Sequence, residues 1–130
     1  MVKMEKILDA NMILRFLLND NIEMSDKVND LIEKSDVLIL PEVVAEVVYV
    51  MKNVYKLNRQ DISSGLLTFL DMDHVKTNCG NVLYKGIKVY SKTPFDFVDC
   101  LLYAYHTVSG YEVMTFDKKL NNLIKRSEED

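Results

Sequence analysis

Cysteine is scarce in this chain. Cys79 and Cys100 are the two present, with no CxxC pair and no His/Cys spacing suited to a metal. That argues against a zinc site and for a reducing, cytoplasmic compartment. Long apolar runs are absent too: none approaches the roughly 18–20 residues needed to span a bilayer, so no membrane partner is expected. The first twenty residues, MVKMEKILDANMILRFLLND, contain basic residues and an apolar stretch, but Asp9, Asn11 and Arg15 interrupt that stretch. No small-residue cleavage site follows, so a secretory signal is not expected. A net positive charge is also lacking. The formal charge is −4, which argues against bulk electrostatic capture of nucleic acid. The deficit is local, however. Asn19 to Asp36 holds six acids against two lysines, and the chain ends on three acids, Glu128, Glu129 and Asp130. The remainder is therefore net positive and leaves room for a local basic rim.

What is present fits one globular domain. The 130 residues are 48% apolar and 28% charged, enough for a proper core and too apolar for intrinsic disorder. No internal repeat or low-complexity linker interrupts residues 1–130. Lys6 to Leu8 reads as a first strand and Met12 to Leu18 as a buried helix, broken by Asn19-Asp20-Asn21. Ser25 to Lys34 has the apolar spacing of an amphipathic helix. Val37 to Leu40 is a second strand, and Pro41 suits the first turn of a helix.

The stretch Glu42 to Tyr55 is rich in valine, which favours strand by propensity. Its apolar positions nevertheless follow a 3.6-residue period over a length unusual for a strand, so it reads as helix. Asn58 and Asp61 form an N-cap pair for the next helix. His74 to Thr77 reads as a short strand, and Val82 to Tyr90 as another helix. Asp96 to Ser109 is a periodic helix with Gly110 as its terminator. A strand over Glu112–Phe116 and a last short helix complete the order. Alternating strands and helices predict an α/β fold with helices on both faces of a mostly parallel sheet.

Four acids break the amphipathic pattern: Asp9, Glu46, Asp99 and Asp117. Asp9 and Asp117 lie at predicted strand ends, and Glu46 and Asp99 near helix starts. Parallel strands with right-handed crossovers bring such positions to one rim. Two carboxylates about 5 Å apart repel by roughly 3 kcal/mol at an effective dielectric of 20. Convergence therefore calls for a cation. Oxygen ligands select a hard divalent ion, Mg²⁺ or Mn²⁺, and no histidine is placed to compete. Singly, an aspartate at a helix start is more often a cap than a ligand. Asp96 reads first as a cap or first-turn acid, Glu42 as a helix-dipole charge, and Asp71, Asp73 and His74 as a solvated loop. Cys100 has no histidine partner nearby in sequence, so a nucleophilic role is not expected.

The segments ILDANMILRFLLND, LPEVVAEVVYVM, PFDFVDCLLYAYH and VMTFDKKL, in this order and spacing, resemble the PIN-domain family and specifically its VapC-type toxin ribonucleases. The resemblance covers essentially the whole chain. It implies a three-layer α/β/α sandwich and metal binding by Asp9, Glu46, Asp99 and Asp117. Asn11 and Thr115 would be orienting neighbours and Asp96 a secondary acid. It further implies a Mg²⁺- or Mn²⁺-dependent endoribonuclease acting on RNA, a homodimer, and neutralisation by a small antitoxin protein. Arg15, Lys52, Lys118 and Lys119 are candidates by position for guiding the RNA backbone. The competing expectation is a catalytically silent PIN-like module that binds protein or RNA.

Overall fold

Short polar side chains start several helices of this protein. In the computed structural model, which describes residues 5–129, Asp9, Asn21 and Asn58 each accept a hydrogen bond from the backbone N–H three residues on. These bonds satisfy donors that the first helical turn leaves orphaned. The helices they open are α1 (Ala10–Leu18), α2 (Ile22–Lys34) and α4 (Arg59–Leu70). Asn19, in the left-handed conformation at φ 50°, ends α1 where the Asn-Asp-Asn break was expected. Between α2 and α4 comes α3 (Pro41–Asn53), with Pro41 at its start. Its valines do not make it a strand: Val44, Val47, Val48 and Met51 form one buried stripe, and packing of that stripe outweighs propensity.

Backbone contacts divide the chain into two compact units, Met1–Asn78 and Cys79–Asp130. The first holds three short strands, β1 (Lys6–Ile7), β2 (Val37–Ile39) and β3 (Val75–Thr77). They pair in the order β1-β2-β3, all parallel, with Lys6 opposite Val37 and Val37 opposite Val75. β2 is central, and its Val37 and Ile39 are completely buried. Around them the core of this unit gathers Leu8, Ile13, Val44, Ile62 and Leu66, and Phe16 packs on Phe69 with ring centroids 5.1 Å apart. The fold class is the expected α/β/α sandwich on a parallel sheet.

The second unit contains α5 (Gly80–Lys92), α6 (Phe97–Ser109) and α7 (Lys118–Glu129). α5 and α6 approach closely at Gly86, where an added Cβ would lie 2.9 Å from Cδ2 of Leu101. Tyr90 meets Phe97 edge-on at 5.8 Å, and Cys100 is completely buried while Cys79 is half-buried. Gly110, at φ 75°, ends α6 as expected.

One expectation fails here. Glu112–Phe116 is not a strand: it runs as an irregular segment between Gly110 and α7. β-propensity needs a ladder partner to be realised, and Thr115 bonds locally instead. The Asp117 N–H donates to Thr115 Oγ1 at 3.0 Å, and Asn121 Nδ2 donates to the Thr115 carbonyl at 2.9 Å. Such bonds compete directly with sheet pairing.

Candidate functional site

In the first unit the candidate acids lie at the start of α1 and in α3. Asp9 has extended backbone, φ −82° and ψ 174°, and its Oδ1 accepts from the Met12 N–H at 2.9 Å. One carboxylate oxygen is therefore oriented by the helix cap, and the other is left for a further partner. Asn11 sits in the first turn of α1 and is exposed. Glu46 lies one turn into α3, exposed and bordered by the buried Val47 and Val48. The guiding role expected of Arg15 does not fit its surroundings. Its guanidinium contacts Asp20 at 2.9 Å and donates to the Tyr55 hydroxyl at 3.2 Å, with the side chain only 17% exposed. It ties α1 to its neighbours. Lys52 is exposed in the last turn of α3.

In the second unit Asp99 feels the charges of Asp117 and Asp96. Asp99 is the third residue of α6 and is half-buried. Its carboxyl is pushed above the usual carboxylate range, first by burial and then by repulsion from Asp117 and Asp96. The shift survives even though a helix start favours an anion. Asp117 repeats the device of Asp9. Its Oδ1 accepts from the Leu120 N–H and its carbonyl from the Asn121 N–H, both at 3.0 Å, opening α7. Asp96 occupies the N-cap position of α6, as read from the sequence, but its side chain makes no capping bond. Its charge acts on Asp99 instead. Thr115 orients the Asp117 backbone through the bond already described.

Repulsion of Asp99 by Asp117 and Asp96 is of the kind that a hard cation with oxygen ligands relieves. Within neither unit do the described residues already form a cluster of three or more His, Cys, Asp or Glu side chains with metal-holding geometry. Cys100, enclosed near the Phe95 carbonyl and Thr93 hydroxyl, has no nucleophile's surroundings, as expected.

Comparisons with known proteins show the family. The model of the PIN domain matches residues 6–125. The chain belongs to the PIN-domain family. A relative described as a VapC ribonuclease, from Aquifex aeolicus (strain VF5), is 30% identical over 123 residues, covering 91% of each chain. No solved structure matches. This PIN domain is thus homologous to a VapC-type ribonuclease, and its family is nuclease-like. No helix among the described residues is long and apolar enough to cross a membrane.

Two features of this PIN domain escaped the sequence. His106 holds the loop before α7: Nδ1 lies 2.7 Å from the Tyr111 carbonyl and Nε2 3.1 Å from Glu128 Oε1. Nothing in the local pattern announces a bond to the residue just past a helix end. Beside it a cavity of about 380 Å³ is lined by residues including Thr115, Asn121 and Lys125. The second feature is Phe116, fully exposed next to Asp117; an expected strand hid it.

Proposed function

We propose that this PIN domain is a Mg²⁺- or Mn²⁺-dependent endoribonuclease and the toxin of a toxin–antitoxin pair, acting in the cytoplasm as a single-domain protomer. Asp9, Glu46, Asp99 and Asp117 serve as its metal-binding and catalytic acids, with Asp96, Asn11 and Thr115 in support. The observation that carries this reading is the match to the PIN domain over residues 6–125 together with the likeness to a VapC ribonuclease, and the raised carboxyl of Asp99 beside Asp117 and Asp96 agrees with it. An acid kept under such strain in a family of nucleases points to a site that a cation completes. A divalent ion held by these acids would neutralise phosphate charge and lower the pKa of a water.

The chain's own residues do the rest. The caps hold one oxygen of Asp9 and one of Asp117 in fixed orientation, so less freedom is lost on binding. The half-buried setting of Asp99 strengthens its attraction for the ion. RNA is the substrate, and the relative's printed name, a ribonuclease, supports that class. A homodimer and a small antitoxin protein are part of the same proposal.

The test is incubation of purified protein with single-stranded RNA and Mg²⁺ or Mn²⁺, with EDTA and Asp99→Asn as controls. Cleavage is expected with the native chain and the metal alone. Cleavage that persists in either control points to a different site. The second reading is a catalytically silent PIN-like module, favoured by the use of Asp9 and Asp117 as helix caps. Absence of both metal binding and cleavage across a varied RNA panel would establish it.

A further inference from the structure

We propose that Phe116 and the cationic face of α7 form a platform for single-stranded RNA, with the Phe116 ring stacking on a base. This rests on the ribonuclease reading above and names what that site uses to hold its substrate. Phe116 is fully exposed and Met114, two residues earlier, is 84% exposed. An exposed phenylalanine is not unusual singly, but this one immediately precedes Asp117. Lys118 and Lys119 follow it directly, and Lys125 and Arg126 come two turns later. All four cations are exposed, and none is in an ion pair with a side chain among residues 5–128. Residues 118, 122 and 125, like 119, 122 and 126, follow the i, i+3 and i+4 spacing of one helix face. Leu120 and Ile124 supply the buried face instead. The cationic side thus runs about 12 Å along the helix, at 1.5 Å per residue.

Ring and cations belong to one piece of structure. Asn121 Nδ2 bonds the Thr115 carbonyl, and Asp117 caps α7, so Phe116 is held at the helix start between two anchored residues. Lys125 lines the same cavity as Thr115 and Asn121, which brings this later cation to the same segment. An aromatic face flanked by lysine and arginine is the combination that holds single strands: the ring stacks any base, and the cations track phosphates. A duplex hides its base faces in its own stack, so this platform favours unpaired RNA.

The experiment measures binding of a labelled single-stranded RNA to the full chain by fluorescence anisotropy, in EDTA so that the RNA stays intact. Phe116→Ala is expected to weaken binding about tenfold, Phe116→Leu to remain weak and Phe116→Trp to restore native affinity. Neutralising Lys125 and Arg126 together, as glutamines, should flatten the salt dependence by about 1.4 in log–log slope, the value for two single-strand phosphate contacts. Phe116→Leu binding as tightly as the native chain would overturn the stacking role. So would a Phe116→Ala variant that keeps its RNA affinity but dissociates in sedimentation, which would mark the ring as a contact between copies of this chain. A native chain that neither binds nor cleaves RNA fails the nuclease reading itself; native cleavage with an unaffected Phe116→Ala fails this inference alone.

Discussion

Asp9 and Asp117 are the same device in two different settings. Each caps a helix with one carboxylate oxygen, at 2.9 Å to the Met12 N–H and 3.0 Å to the Leu120 N–H. Asp9 follows a strand of a parallel sheet and opens a helix with a buried apolar side. Asp117 follows a loop held by side chains and opens a helix with exposed cations. The units around them differ as well. The first carries thirteen acids against nine lysines and arginines, the second seven against seven. Yet the acid whose ionisation is resisted, Asp99, lies in the balanced unit. Overall charge does not decide where carboxylates strain one another; local burial and spacing do.

Removal of the strained acid should have the largest effect. Asp99→Asn should reduce metal-dependent RNA cleavage to background, measured with equal folded protein by circular dichroism. Gly86→Ala tests the packing beneath it. The added methyl meets Leu101, so a loss of about 1–3 kcal/mol is expected in denaturant unfolding. Next come the two caps. Asp9→Ala and Asp117→Ala should each cost about 1 kcal/mol, whereas the Asn variants keep a capping oxygen and most of the stability. The Asn variants then separate charge from cap: Asp117→Asn lowers the Asp99 carboxyl in an NMR titration, and Asp96→Asn does so by less.

The smallest effect is on metal-free stability. Because the folded state holds the Asp99 proton more tightly than the unfolded chain, stability falls as pH rises from the ordinary carboxylate value through the raised one. Above that window the ionised form remains a net cost. Asp99→Asn should remove this slope in melting temperature, and an unchanged slope would mean that another carboxyl carries it.

Much of this was legible in the residues. The α3 stripe of Val44, Val47, Val48 and Met51 keeps helical spacing, and that period outweighed valine's preference for strands. Asn58 and Gly110 announced a helix start and end because each has a specific backbone job. The family was legible from four ordered segments. Glu112–Phe116 was not, because alternation of apolar residues specifies a strand only when a neighbour completes the ladder. Here the Thr115 carbonyl bonds to Asn121 and the Thr115 hydroxyl to the Asp117 N–H instead. The strain on Asp99 was foreseen as a general repulsion among acids; its leading cause, burial, depends on packing that no local pattern encodes. Arg15 shows the same limit: a basic residue near a candidate acid turned out to be anchored by Asp20 and Tyr55.

The two thiols give the chain a chemical handle of its own. Cys100 is sealed within α6, whereas Cys79, at the first residue of the second unit, is half-buried. A maleimide dye applied to the native protein should therefore react at Cys79 well before Cys100. Without any engineered cysteine, one fluorophore would then report from the junction between the sheet-bearing and helical parts of the sequence.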